Sequence, residues 1–138
     1  MQPSEVQPGS PRPADLIDRA RAAAERAYAP YSRFRVGAAA DAGGHLFDGC
    51  NVENASYGLT TCAERVALFA AVAAGHRRVD RLAVSCVDAG PELGAAGRMP
   101  CGACRQVMAE LMGLDGEVEV DGVGTFRVAD LLPRAFTL

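Results

Sequence analysis

Apolar residues recur first at helical spacing. Leu16, Ile17, Ala20, Ala24, Ala27 and Tyr28 share one face, with Asp15 in the first turn, where it complements the helix dipole. Ala29-Pro30-Tyr31-Ser32 ends that helix. Phe34 to Asp41 is a run of small apolar residues that predicts a strand. Ala42-Gly43-Gly44 predicts a turn, and His45 to Glu53 the hairpin partner. After a loop through Gly58 and Thr61, Cys62 to Ala74 is apolar on nearly every face beyond its first turn. That predicts a buried helix stopped by Gly75. Leu82 to Val87, interrupted only by Ser85, has the composition of a central parallel strand. Asp88 to Arg98 reads as loop. Pro100 precedes a third helix whose Val107, Met108, Leu111 and Met112 turn inward. Glu117 to Val120 and Thr125 to Val128 alternate on either side of Asp121-Gly122 and predict two more strands, with a turn at Asp130 to Pro133 after them. Three main helices and about five strands in mixed order predict an α/β fold, a three-layer α/β/α sandwich around a mixed sheet.

Composition narrows the picture. A chain of 138 residues, 49% hydrophobic and 22% charged, can bury a real core. Residues 1–13 hold four of the eight prolines and few large apolar side chains, which predicts a disordered tail before one domain spanning 14–138. The 26 alanines favour closely packed helices. A net charge of −3 argues against nucleic acid as a partner. All fourteen cations are arginine, which removes Schiff-base, P-loop lysine and lysine-base chemistry. The longest apolar run, Val66 to Ala74, is half the roughly 18 residues a membrane span needs. No basic segment leads into an apolar one at the N-terminus, so the expectation is a cytoplasmic protein with no membrane partner. Cys50, Cys62, Cys86, Cys101 and Cys104 are an odd set, which suits thiol or metal chemistry better than a disulfide framework.

The chemistry concentrates at Cys62-Ala63-Glu64 and Pro100-Cys101-Gly102-Ala103-Cys104. Cys101 and Cys104, three apart in a first helical turn, share a face and can reach one ion. Cys62 opens another predicted helix, and both helix starts favour thiolates. Three thiolates leave a tetrahedral zinc one ligand short, the hallmark of a catalytic rather than structural site. Glu64 is placed to act on water without being a ligand. The alternative is a structural zinc with Cys50 or Cys86 as fourth ligand. Three thiolates on Zn²⁺ leave a net charge near −1, which Arg65 or, less directly, Arg105 would offset. Either could equally be a solvated helix arginine.

These motifs sit among longer blocks: Tyr31-Ser32-Arg33-Phe34-Arg35-Val36-Gly37-Ala38-Ala39, Gly49 to Gly58, Thr61-Cys62-Ala63-Glu64-Arg65, Met99 to Val107, and Leu131 to Phe136. In that order, from about Ala14 to Phe136, the chain resembles the small homotetrameric cytidine deaminases with a three-cysteine zinc site. The resemblance implies the cytidine deaminase-like fold and hydrolytic deamination of cytidine and 2′-deoxycytidine in pyrimidine salvage. It implies one Zn²⁺ per subunit on Cys62, Cys101 and Cys104, with Glu64 as proton shuttle and Arg65 as thiolate-neutralising cation. Substrate would meet Phe34 against the pyrimidine, Asn51 and Glu53 at the ribose hydroxyl, and Ala63. Tyr57 and Phe136 would come from a neighbouring subunit. Independently, period-two spacing puts Asn51 and Glu53 on one side of an extended segment.

Val66 stands where a threonine is common in such enzymes and Met99 where a serine is, neither at a ligand position. His45 and His76 match no catalytic position and read as surface residues. His76-Arg77-Arg78 with Arg81 reads as a solvated basic helix end. Three rivals remain: a deaminase of a cytosine-containing antibiotic nucleoside, a nucleic-acid editor, and a non-catalytic zinc-stabilised binding module.

Overall fold

The computed structural model describes residues 13–138. The expected tail falls on residues 1–12, outside the described residues, while its last member, Pro13, is the first residue of a helix. The elements run α1 (Pro13–Ala24), β1 (Val36–Ala42), β2 (His45–Cys50), α2 (Ala63–Ala73), β3 (Arg81–Cys86), α3 (Gly102–Met112), β4 (Glu117–Val120), β5 (Gly124–Arg127) and α4 (Val128–Leu131). The strands form one mixed sheet in the order β2-β1-β3-β4-β5. β1 is antiparallel to β2 and β3, β3 is parallel to β4, and β4 is antiparallel to β5.

Strand alternation sorts the small residues onto two faces. Ala38, Ala40 and Ala42 of β1, with Leu82 and Val84 of β3, pack with Ala67 and Leu68 of α2 and Met108 and Met112 of α3. Ala39 and Ala83 turn the other way, onto Leu16, Ile17 and Ala20 of α1. The three-layer α/β/α arrangement expected from the sequence is what the chain forms.

Two glycines let helices approach the sheet at backbone distance. A Cβ on Gly37 would lie 1.9 Å from the Ala20 carbonyl oxygen, and one on Gly49 would lie 2.4 Å from that of Ala63 and 2.5 Å from the Ala67 nitrogen. Gly49 therefore seats the start of α2 directly on β2.

Several boundaries differ from expectation. The first helix stops at Ala24 rather than continuing through Tyr28. Tyr28 instead exchanges backbone hydrogen bonds with the segment after β2, donating to the Asn51 carbonyl (2.9 Å) and accepting from the Glu53 N–H (2.8 Å). Helical hydrogen bonding would forfeit both. β2 ends at Cys50: Asn51 still donates to the Val36 carbonyl opposite it, but the Val36 N–H turns to the Asn51 side-chain oxygen and the Val52 N–H to the Thr61 carbonyl. The last strand runs Gly124–Arg127, and Val128, expected within it, opens α4, which overlaps the turn expected from Asp130. α2 is not covered all round, since Phe69 is 48% exposed. Arg81 leaves the expected basic cluster to pair with buried Asp41 at 2.6 Å. His45 is exposed but His76 is half-buried, its ring 5.1 Å from that of His45. No helix among the described residues is long and apolar enough to cross a membrane.

Candidate active site

Two helix starts meet at one point. Cys62 is the N-cap of α2 and Cys101 that of α3, and neither uses its side chain to cap the helix, so both sulfurs are free to face an ion. Cys104 follows one turn into α3 and is fully buried. The three sulfurs lie within 4.8 Å of one another, with Cys62 and Cys101 4.0 Å apart and Cys101 and Cys104 3.5 Å apart. Ligands of a tetrahedral zinc, at Zn–S of about 2.3 Å, stand about 3.8 Å from each other. The triad fits that ion. It takes three ligands and leaves one position for water or substrate. Cys50 and Cys86 lie outside the triad: the Cys50 thiol points to the Arg26 carbonyl and the Cys86 thiol to that of Arg98. The four-cysteine structural alternative has no fourth sulfur here.

The electrostatics favour a thiolate at Cys62, while the hydrogen bond to Cys62 and burial push the Cys104 thiol up. Cys62 is held below the usual thiol range by hydrogen bonding from Cys104 and from the Arg65 guanidinium, against the opposing effect of burial. The Nη2 of Arg65 lies 3.3 Å from the Cys62 sulfur, and its Nε is buried with no hydrogen-bond partner. This half-buried arginine turns its guanidinium to the Cys62 sulfur. Arg105, the other candidate, does something else: it donates to the carbonyls of Pro100 and Leu131, both at 2.8 Å, bracing α3 against α4.

Beside the triad lies a cavity of about 210 Å³ lined by Phe34, Val36, Asn51, Thr60, Cys62, Ala63, Glu64, Val84, Cys86, Gly97, Arg98, Met99 and Cys101. It opens where the start of β1 pairs with the end of β3, Val36 opposite Cys86. Glu64 is only 5% exposed, and burial, reinforced by the charge of Cys62, pushes its carboxyl up to about 7. Asn51 is buried and clamps the entry to β1: its side-chain oxygen accepts from the Val36 N–H (2.9 Å) and its amide donates to the Phe34 carbonyl (2.8 Å). One amide hydrogen and one lone pair remain for a ligand. Ala63, the first residue of α2, lines the wall where helical N–H groups have no intrahelical acceptor.

The remaining expected residues are elsewhere. Glu53 lines a neighbouring cavity of about 420 Å³ with Tyr31, Ser32, Asn54, Ala55, Tyr57 and Thr60. Its carboxylate accepts from the N–H groups of Tyr31 (3.0 Å) and Ser32 (3.1 Å) and from the Ser32 hydroxyl, which together hold it below the usual range. Asn51 and Glu53 line adjacent cavities that share Thr60, and Val52 between them is bridged to Tyr28 and Thr61, so the segment runs extended past the end of β2. Tyr57 is 91% and Phe136 69% exposed, and neither lines the Glu64 cavity. Thr60, Arg98 and Met99 were not anticipated as lining residues, and Cys86, considered from the sequence only as a fourth zinc ligand, lines the cavity as well. Adjacency to Cys62 and Cys101 was the available signal for Thr60, Arg98 and Met99.

Known proteins match this arrangement. A family model described as the cytidine and deoxycytidylate deaminase zinc-binding region matches residues 12–115. The chain is 49% identical over 127 residues to a cytidine deaminase of Halalkalibacterium halodurans, covering 88% of this chain and 92% of that one. It is 49% identical over 125 residues to the cytidine deaminase of Mycobacterium tuberculosis, covering 89% and 88%. Among solved structures, the cytidine deaminase of Burkholderia pseudomallei superposes with a TM-score of 0.81 at 50% identity, over 91% of this chain and 100% of that one. With the sulfur triad, the buried glutamate and the sheet order all in place, the chain belongs to the cytidine and deoxycytidylate deaminase zinc-binding family.

Proposed function

We propose that this chain hydrolytically deaminates cytidine and 2′-deoxycytidine to uridine and 2′-deoxyuridine, releasing ammonia, a step of pyrimidine salvage. The observation that carries the reading is Glu64: a carboxyl 5% exposed, in a cavity whose wall it shares with two sulfurs of a metal-sized triad. Cys62, Cys101 and Cys104 hold one Zn²⁺ per chain. When bound, the metal acidifies water and so supplies a nucleophile near neutral pH.

The protein's own part is proton management and placement. Glu64 takes a proton from water at its carboxylate and passes it to ring N3 as the water oxygen bonds to C4. It then takes the remaining proton from the C4 hydroxyl and delivers it to the amine as the C4–N bond breaks and the C4 carbonyl forms. Arg65 offsets the excess negative charge of the thiolates. Phe34 packs against the pyrimidine, Ala63 offers backbone groups to the base, and Asn51 and Glu53 take the ribose hydroxyl. Residues 14–138 act as a single catalytic domain. Tyr57 and Phe136, exposed in the single chain, enter a neighbour's site in a homotetramer located in the cytoplasm.

The test is a spectrophotometric assay of the zinc-loaded protein with cytidine beside its Glu64→Ala variant. Loss of cytosine absorbance with the wild type alone is expected. A zinc-bound wild type without turnover would overturn the reading. Mass in solution tests the assembly: a fully active monomer removes Tyr57 and Phe136 from the site.

A further inference from the structure

The segment between β3 and α3 supplies Gly97, Arg98, Met99 and Cys101 to the cavity, yet residues 91–97 are all exposed. A stretch with so little apolar burial needs polar contacts to hold one shape. At its start, Asp88 accepts from the Arg35 side chain (Nε 2.9 Å, Nη2 2.8 Å) and from the Arg35 backbone N–H (2.8 Å). At its end, the Arg98 guanidinium reaches back and donates to the carbonyls of Gly90 (2.6 Å), Gly94 (3.3 Å) and Ala89 (3.5 Å). These carbonyls flank the short 3₁₀ turn Pro91–Leu93 on both sides. The loop also closes on itself, since a Cβ on Gly97 would lie 2.3 Å from Leu93 Cγ. One cation therefore gathers the ends of a turn whose next residues, Gly97 to Met99, form the cavity wall.

We propose that Arg98 is a positioning residue for substrate binding: by gathering three loop carbonyls it holds the 88–99 loop in place as the cavity wall against which the nucleoside binds. The proposal rests on the deaminase reading, because the wall belongs to the same cavity. A planar guanidinium presents five donors in a fixed fork, so it spans acceptors on both sides of the turn. A lysine ammonium meets fewer of them at once, and a glutamine amide fewer still.

The experiment compares zinc-loaded wild type with Arg98→Gln and Arg98→Lys. It measures kcat and KM for cytidine, zinc content, and amide hydrogen exchange over residues 89–97. Arg98→Gln is expected to raise KM about tenfold with kcat within about twofold, and Arg98→Lys to raise it less. Zinc content stays as in wild type, and exchange quickens in 89–97 while α2 remains protected. Unchanged KM and exchange would overturn the proposal. So would zinc loss with falling kcat, which would mean that Arg98 acts through Cys101 and not through the wall. A zinc-bound wild type inert towards cytidine sinks the functional reading instead, and loop exchange in the variants then decides the latch by itself.

Discussion

Two neighbouring cavities share Thr60, and each presents one carboxylate in the opposite setting. Glu64 stands at apolar walls and a sulfur triad, so burial pushes it up to about 7. Glu53 sits among two backbone N–H groups and a hydroxyl, which lower it. The first carboxylate is poised to change protonation, and the second stays charged and accepts hydrogen bonds. Their supports differ as well. Helix α2, seated on β2, carries Glu64. Loop backbone carries Glu53, through the bridges Tyr28 to Val52 and Val52 to Thr61. On the proposed function, one cavity moves protons and the other holds a polar group still.

The sharpest break of that contrast is Glu64→Gln. It removes the proton carrier while keeping its shape, so kcat falls by about a thousandfold or more. Zinc content is retained. The melting temperature stays at or above wild type, because a buried ionisable group has become neutral. Residual activity above about one per cent would move the proton role to another group. Gly49→Ala comes next. Its Cβ meets backbone atoms of α2 at 2.4 and 2.5 Å, and backbone cannot swing aside. The start of α2 must lift with Cys62 and Glu64, lowering stability by about 1–3 kcal/mol and turnover by about a hundredfold. Denaturant unfolding and kcat measure the two. Glu53→Gln, in the other cavity, is gentler: kcat/KM for cytidine falls about tenfold, mostly through KM, with zinc content unchanged. A loss in kcat alone would mean that Glu53 belongs to the chemistry after all.

The same contrast explains what the sequence could reveal. The triad and Glu64 are legible because Cys-x-Glu and Cys-x-x-Cys each open a helix, and helical spacing then dictates which atoms converge. The central strands are legible as continuous apolar runs, and the structure sorts Ala38 to Ala40 and Leu82 to Val84 alternately onto the two faces of the sheet. The cavity of Glu53 is not. Its shape rests on backbone hydrogen bonds between Tyr28 and residues 51–53, far apart in sequence and independent of side-chain type. For that reason the first helix looked longer than it is. Arg98 was equally hidden, because its acceptors are carbonyls that every residue carries.

Acid provides the smallest test, read at the loop that walls the Glu64 cavity. Hydrogen bonds from the Arg35 side chain and backbone push the Asp88 carboxyl down to about 2 from its ordinary 3.8. A carboxylate depressed in the folded state stabilises it fully above the unfolded value and loses that contribution as pH falls towards the folded one. The window is therefore between about pH 4 and pH 2. The pair is exposed and screened by salt, so its contribution is at most about 1 kcal/mol. In Asp88→Asn the stability deficit against wild type should be constant near neutrality and shrink through that window, read by chemical unfolding at a series of pH values. Because Asp88 anchors the loop that walls the Glu64 cavity, the same variant should quicken amide exchange over residues 89–97. The segment 51–60 around Glu53 should keep its wild-type rates. Equal quickening in both segments would show that the two cavities share one cooperative support, and their separation into a proton-moving half and a holding half would fail.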